Sequence, residues 1–210
     1  MITKPSVAPY GLLFLALVTG CVSLERAYPE KKRYSLEASR TTKVSPKGAR
    51  SVLRVNDFQI SPGYEKREFV YRVGDNRYES DFYRLFFTPP SRMVTSSVRD
   101  WLANSGLFGN VVGSGSLMES DYVLEGSVQA MYGDYRGGQP RAVLKVQTLL
   151  LREGERGPVV VRQKNFEEAV LIGEEGGDRL VKGWNTGLKN ILKSLEGELK
   201  GLDLKATPGS

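Results

Sequence analysis

Histidine is absent from all 210 residues, and cysteine occurs once, at Cys21. The first absence removes the commonest general base and the commonest metal ligand. The second excludes an internal disulfide and a thiolate zinc cluster, so stability must come from burial. Neither a G-x-S-x-G elbow nor a G-x-x-x-x-G-K-[ST] phosphate loop occurs. The paired acids Glu167-Glu168 and Glu174-Glu175 come nearest to an acid–base couple. Neighbours on a strand point to opposite faces, so such a pair there cannot present two carboxylates to one substrate. Composition therefore argues against an enzyme and calls for no cofactor and no metal. Also lacking is an apolar run of membrane-spanning length, which takes about 20 residues.

What is present begins at the amino terminus. The apolar run Gly11–Val18 follows "MITKPSVAPY", where Lys4 is the one charged side chain. As a helix the run would rise only about 12 Å. A short positive segment, a short apolar segment and small residues before a cut are the layout of an export signal. "Val18-Thr19-Gly20-Cys21" resembles a bacterial lipobox, in which the cysteine thiol accepts a diacylglyceryl group and becomes the new amino terminus. That resemblance implies a signal peptide over residues 1–20 and lipid attachment at Cys21. Val22 stands where an aspartate would mark retention, which resembles sorting to the outer membrane. Residues 21–33, polar and broken by Pro29, read as a lipidated tether.

Net charge is +6, and the basic residues are scattered except for Lys31-Lys32-Arg33 beside the anchor. Export removes the chain from nucleic acid, so that cluster reads as a charged stem and no nucleic-acid partner is expected. The 190 residues after the signal suffice for one domain, placed at 34–200, with a flexible tail at 201–210.

Hydrophobic periodicity gives the elements. A short first strand is expected at Tyr34–Ser39, and a second over Ser51–Ile60. Leu53 and Val55 share one parity in that strand and Phe58 and Ile60 the other, which calls for a bend near Asn56. A hairpin is expected about "GDN" at Gly74–Asn76, residues that permit the positive φ of a tight turn. In "FTPPSRMVTSSVRDWLANSGLF", Thr88 suits a helix N-cap, the prolines its first turn, and Gly106 its left-handed end. "DYVLEGSVQAM" alternates with Tyr122, Leu124, Val128 and Ala130 inward, and "RAVLKVQTLLL" with Ala142, Leu144, Val146 and Leu150 on one face. A third strand follows "REGERGP", and short loops favour antiparallel pairing. The last element is an amphipathic helix from about Asp178 to Leu199, its stripe including Leu180, Trp184, Leu188, Ile191 and Leu195. Gly183 and Gly187 weaken it unless close packing on the sheet requires them. The expected fold is α+β: one mixed, largely antiparallel sheet with two amphipathic helices packed on it.

The order of parts carries a resemblance. A lipobox, a "Tyr-x-Leu" strand, a hairpin running into an aromatic-aromatic-x-Pro-Pro helix start, "L-x-N-S-G-L-F-x-N-V-V" and "D-Y-V-L-E-G-S-V" follow one another. Together they resemble the ABC-type transport auxiliary lipoprotein family, the outer-membrane component of MCE-type lipid transport systems. The family often has a tryptophan before the proline pair, and Phe86-Phe87-Thr88 stands there instead. The resemblance implies a non-catalytic lipoprotein that faces the periplasm and docks an MCE-family protein, and a homo-oligomer that matches a ring-shaped partner. Phe86, Phe87 and Arg92 have the composition of such an interface, whereas Phe82 reads as core. Two other classes stay open at this point: an envelope scaffold or activator for a cell-wall synthase or secretion partner, and a hydrolase with an unrecognised site.

Overall fold

Strands rich in β-branched and aromatic residues precede the first of two amphipathic helices and fill the chain between the first and the second. The computed structural model describes residues 30–45 and 51–204, so the lipobox expected at Val18, Thr19, Gly20 and Cys21 lies outside the described residues. Among the described residues the order is β1 (Lys32–Tyr34), β2 (Val52–Val55), β3 (Gln59–Ile60), β4 (Glu68–Arg72), β5 (Tyr78–Phe86), α1 (Pro90–Ala103), β6 (Asn110–Gly113), β7 (Tyr122–Asp134), β8 (Arg141–Arg152), β9 (Val159–Leu171) and α2 (Gly177–Lys200). The nine strands form one mixed sheet, and the fold is α+β. No helix among the described residues is long and apolar enough to cross a membrane.

Strands β7, β8 and β9 make the expected antiparallel meander. The other edge of β7 is built differently. There β2, β3 and β4 run beside it in turn, each parallel, at the levels of Tyr122–Leu124, Ser127–Val128 and Gly133–Asp134. Residues 52–72 are thus one path along β7, interrupted twice. The first interruption is the bend expected near Asn56, and it brings Phe58 into the same core as Leu53 and Val55. Gly126 on β7 makes room: a Cβ there would lie 2.1 Å from the Phe58 ring.

Local chemistry explains four departures from the periodic pattern. A bulge between Val128 and Ala130 gives β7 an extra residue, so parity reverses. Met131 then joins Leu124 and Val128 beneath the helices, while Ala130 turns to a small cluster with Val70, Tyr132 and Val143 on the opposite face. The hairpin is looser than expected: it is closed by the Val73 amide on the Arg77 carbonyl at 3.0 Å, and neither Gly74 nor Asn76 takes a positive φ. The N-cap of α1 is Pro89, not Thr88, with Pro90 inside the first turn and Gly106 at φ +75° after the last. Finally, the first strand ends at Tyr34 rather than running to Ser39, and begins at Lys32, where it pairs parallel to β5.

Beyond Tyr34 the chain becomes a strap across the two helices. Leu36 and Ala38 are buried in it without belonging to a strand. The Leu36 amide points at the Met93 sulfur of α1 at 3.4 Å, and the Glu37 amide donates to Asn185 Oδ1 of α2 at 2.9 Å. Further on, Arg40 donates to the Asn104 carbonyl at 3.1 Å, pairs with Glu196 at 3.4 Å and stands over the Trp101 ring. Glu196 is itself buried and accepts the Trp101 indole N–H at 2.8 Å. Two charges and an indole thus fasten the strap where the helix ends meet.

The expected stripe of α2 is core throughout: Leu180, Val181, Trp184, Leu188, Ile191, Leu192, Leu195 and Leu199 are all buried. Gly183 sits where a Cβ would be 2.6 Å from both Ala142 Cβ and Ile172 Cγ2, which is the close packing that explains a glycine there. The Trp184 indole N–H donates to the Val143 carbonyl at 3.1 Å, and its ring packs edge-on to Phe69.

Candidate docking surface

The chain leaves β5 through Phe86 and Phe87 and enters α1 through two prolines, so backbone direction decides which aromatic faces in. Phe86 is 3% exposed, with its ring 4.6 Å from Phe69 and 5.4 Å from Trp184. It belongs to the core, which corrects its place among the interface residues. Phe87 points the other way, is 64% exposed, and is held by its amide on the Tyr34 carbonyl at 2.7 Å. Arg92 is exposed on the first turn of α1.

Phe87 and Arg92 come together on a groove of about 610 Å³ between the strap and α1. Leu36 and Met93 supply its apolar part, and Glu37, Arg40 and Asp100 bring charges of both signs. Such a surface suits a polypeptide with mixed side chains. A second recess of about 500 Å³, on the helix-free face, is lined by Asn56, Asp57, Ser114, Glu125 and Gln147 and holds none of the sequence-derived candidates. Periodicity cannot reveal the strap's share in the first groove, because residues 35–40 have no partner in sequence that places them against α1.

Phe82 is corrected in the opposite sense. It is 63% exposed, with the Lys31 ammonium 3.9 Å from the ring centroid. The reason is a wide bulge in β5. Val70 of β4 pairs with Ser80, but Glu68 pairs with Leu85, so β5 carries three residues more than its partner over this stretch. Asp81 pins the bulge by accepting from Tyr71 Oη at 2.6 Å, the Tyr83 amide at 2.8 Å, and the Arg84 amide and guanidinium at 3.0 and 2.8 Å.

The electrostatics of that pin are one-sided. Burial alone would raise the Asp81 carboxyl, but the bonds from Tyr71, Tyr83 and Arg84 outweigh it and hold it below its ordinary value. Asp134 is likewise lowered, chiefly by its bond to Arg136. A depressed native pKa contributes stability that is present above the unfolded value, about 3.9 for Asp, and is lost as pH falls through the native value. The domain is therefore expected to lose stability steadily below about pH 4. Asp81→Asn should flatten that acid limb in urea titrations between neutral and acid pH, and an unchanged limb would remove Asp81 from the account.

The acids Glu167 and Glu168 of β9 also separate as strand geometry requires, whereas Glu174 and Glu175 lie in the loop before α2. Glu167 meets Lys145 at 2.9 Å on the face away from the helices, and Glu168 accepts from Asn190 of α2 at 3.1 Å. Among the described residues no group of three or more Asp or Glu is placed to hold a metal.

A crystal structure of a Xanthomonas campestris protein superposes with a TM-score of 0.70 at 18% identity, covering 80% of this chain and 93% of that one. A second, of an uncharacterized protein, gives 0.65 at 19% identity, covering 81% and 99%. At these identities the likeness establishes the shared fold. No relative is found among curated proteins. Residues 34–195, which run from the end of β1 nearly to the end of α2, match the ABC-type transport auxiliary lipoprotein component family. The chain belongs to that family of lipid-anchored accessory components of ABC-type transport.

Proposed function

We propose that this protein is a non-catalytic outer-membrane lipoprotein, anchored through Cys21 and facing the periplasm, which docks an MCE-type lipid transport assembly to that membrane. The family match over residues 34–195 carries the reading, because it spans both helices and almost the whole sheet. Three features support it. The lipobox supplies an anchor without a transmembrane helix. The strap fastens the chain just beyond the tether to both helices through Leu36 and Glu37. The groove with Phe87 and Arg92 offers a mixed apolar and charged surface for a protein partner. A homo-oligomer matches a partner built as a ring, since closed cyclic assemblies satisfy every repeated contact. Copurification tests the proposal. The lipidated chain, extracted in mild detergent from envelopes that contain its MCE-family protein, is expected to bring that protein with it. Recovery of the lipoprotein alone, with the MCE protein present and intact in the extract, would contradict it.

A further inference from the structure

Two rings on the surface, held there by a built device, need an explanation that docking through the groove does not supply. Phe82 and Tyr83 occupy the β5 bulge, are 63% and 36% exposed, and pack edge-to-face with centroids 5.3 Å apart. Four hydrogen bonds to Asp81 fix the bulge that displays them. Bulges commonly re-aim side chains, and this one aims apolar side chains into water.

Its position lies close to the amino-terminal tether. Strand β1 lies beside the bulge, with Lys32 opposite Arg84, and the Lys31 ammonium rests on the Phe82 ring. Lys31 lies only ten positions after Cys21, a reach of at most about 35 Å when fully extended. Lys31, Lys32 and Arg33 follow one another here, all exposed, with Glu30 before them. The nearby hairpin adds Arg77 and Glu79, which pair with each other at 3.7 Å. Exposed aromatic rings beside lysine and arginine suit the boundary between anionic headgroups and acyl chains.

We propose that Phe82 and Tyr83, with Lys31, Lys32 and Arg33, form a second contact with the membrane, seated among the anionic lipid headgroups around the acyl anchor. A lipid anchor by itself sets no orientation for the domain. The bulge would give it one orientation, with the β5 edge on the bilayer. The inference rests on the lipid anchor read at Cys21.

The test uses the full lipidated chain carrying Phe82→Trp. Both native indoles, Trp101 and Trp184, are buried, so a lipid-borne quencher reaches only the new one. The protein is reconstituted into phosphatidylglycerol–phosphatidylcholine vesicles with brominated acyl chains. The expected result is at least twofold quenching of the added emission, reduced in vesicles of phosphatidylcholine alone and reduced again when Lys31, Lys32 and Arg33 are all replaced by Glu. Vesicle-bound protein whose new indole is unquenched by lipid but quenched by aqueous acrylamide would overturn the proposal. A blue shift that grows with protein concentration in detergent, without lipid, would instead assign the patch to a second copy and also overturn it. Failure of the anchor reading shows separately, as a mass spectrum with no acyl mass on Cys21, and this inference falls with it.

Discussion

Trp184→Ala is expected to cost about 3–5 kcal/mol of folding stability, the range for removing a large aromatic from a packed core. The side chain is 1% exposed and sits where α2 crosses the sheet. It touches Phe69 and Phe86 at ring-centroid distances of 5.1 and 5.4 Å, so the cavity would open between three elements at once. The loss also leaves the Val143 carbonyl without the indole donor it now has at 3.1 Å. Because a typical domain is stable by only about 5–15 kcal/mol, the variant should unfold at markedly lower urea concentration and temperature. Trp184→Phe, which keeps most of the volume and loses the donor, should fall between the two. A melting temperature unmoved in the alanine variant would mean that the α2 stripe is not the core.

Cys21→Ala has the second large effect, on location rather than stability. No helix among the described residues is long and apolar enough to hold the chain in a bilayer. One acyl chain gives marginal, reversible binding, and stable anchoring takes more than one such signal. Cys21, the proposed lipobox cysteine, is the one thiol in the sequence. The variant should therefore lack acyl mass, and either appear in the soluble fraction or remain attached through its uncut signal. These two outcomes differ by the mass of residues 1–20. Acylated, detergent-requiring protein at wild-type levels from the alanine variant would refute the lipobox reading.

The parts of this fold that periodicity reveals are those whose neighbours repeat regularly. The α2 stripe and the inward face of β8 are legible because each buries one continuous side against a single surface. Gly183 and Gly187 are legible for the same reason, as small residues on a stripe that must approach a sheet. What fails is register. The β7 bulge after Val128 has no residue signature, so Ala130 is assigned to the wrong face. The β5 bulge depends on Asp81 meeting Tyr71 and Arg84, and only the paired hairpin brings these together. That is why Phe82 reads as core yet lies on the surface. The candidate site divides likewise. Phe87 and Arg92 stand out by composition, but Phe86 beside them is drawn inward by Phe69 and Trp184. The groove exists because the strap crosses α1, fixed through contacts such as Arg40 with Glu196 that span more than a hundred residues.

Docking meets its most direct test in the affinity of the lipoprotein for the proposed MCE-family partner when the groove is altered. The wild-type chain and a Phe87→Ala, Arg92→Ala double variant would be titrated against the purified partner, with thermal melts run in parallel. Both side chains are exposed, so the melts should agree closely. The account predicts micromolar or tighter binding by the wild type and at least a tenfold loss in the variant, since hot spots at interfaces are enriched in buried arginine and aromatic anchors. Equal affinity of the two chains, or no binding by either, would contradict it.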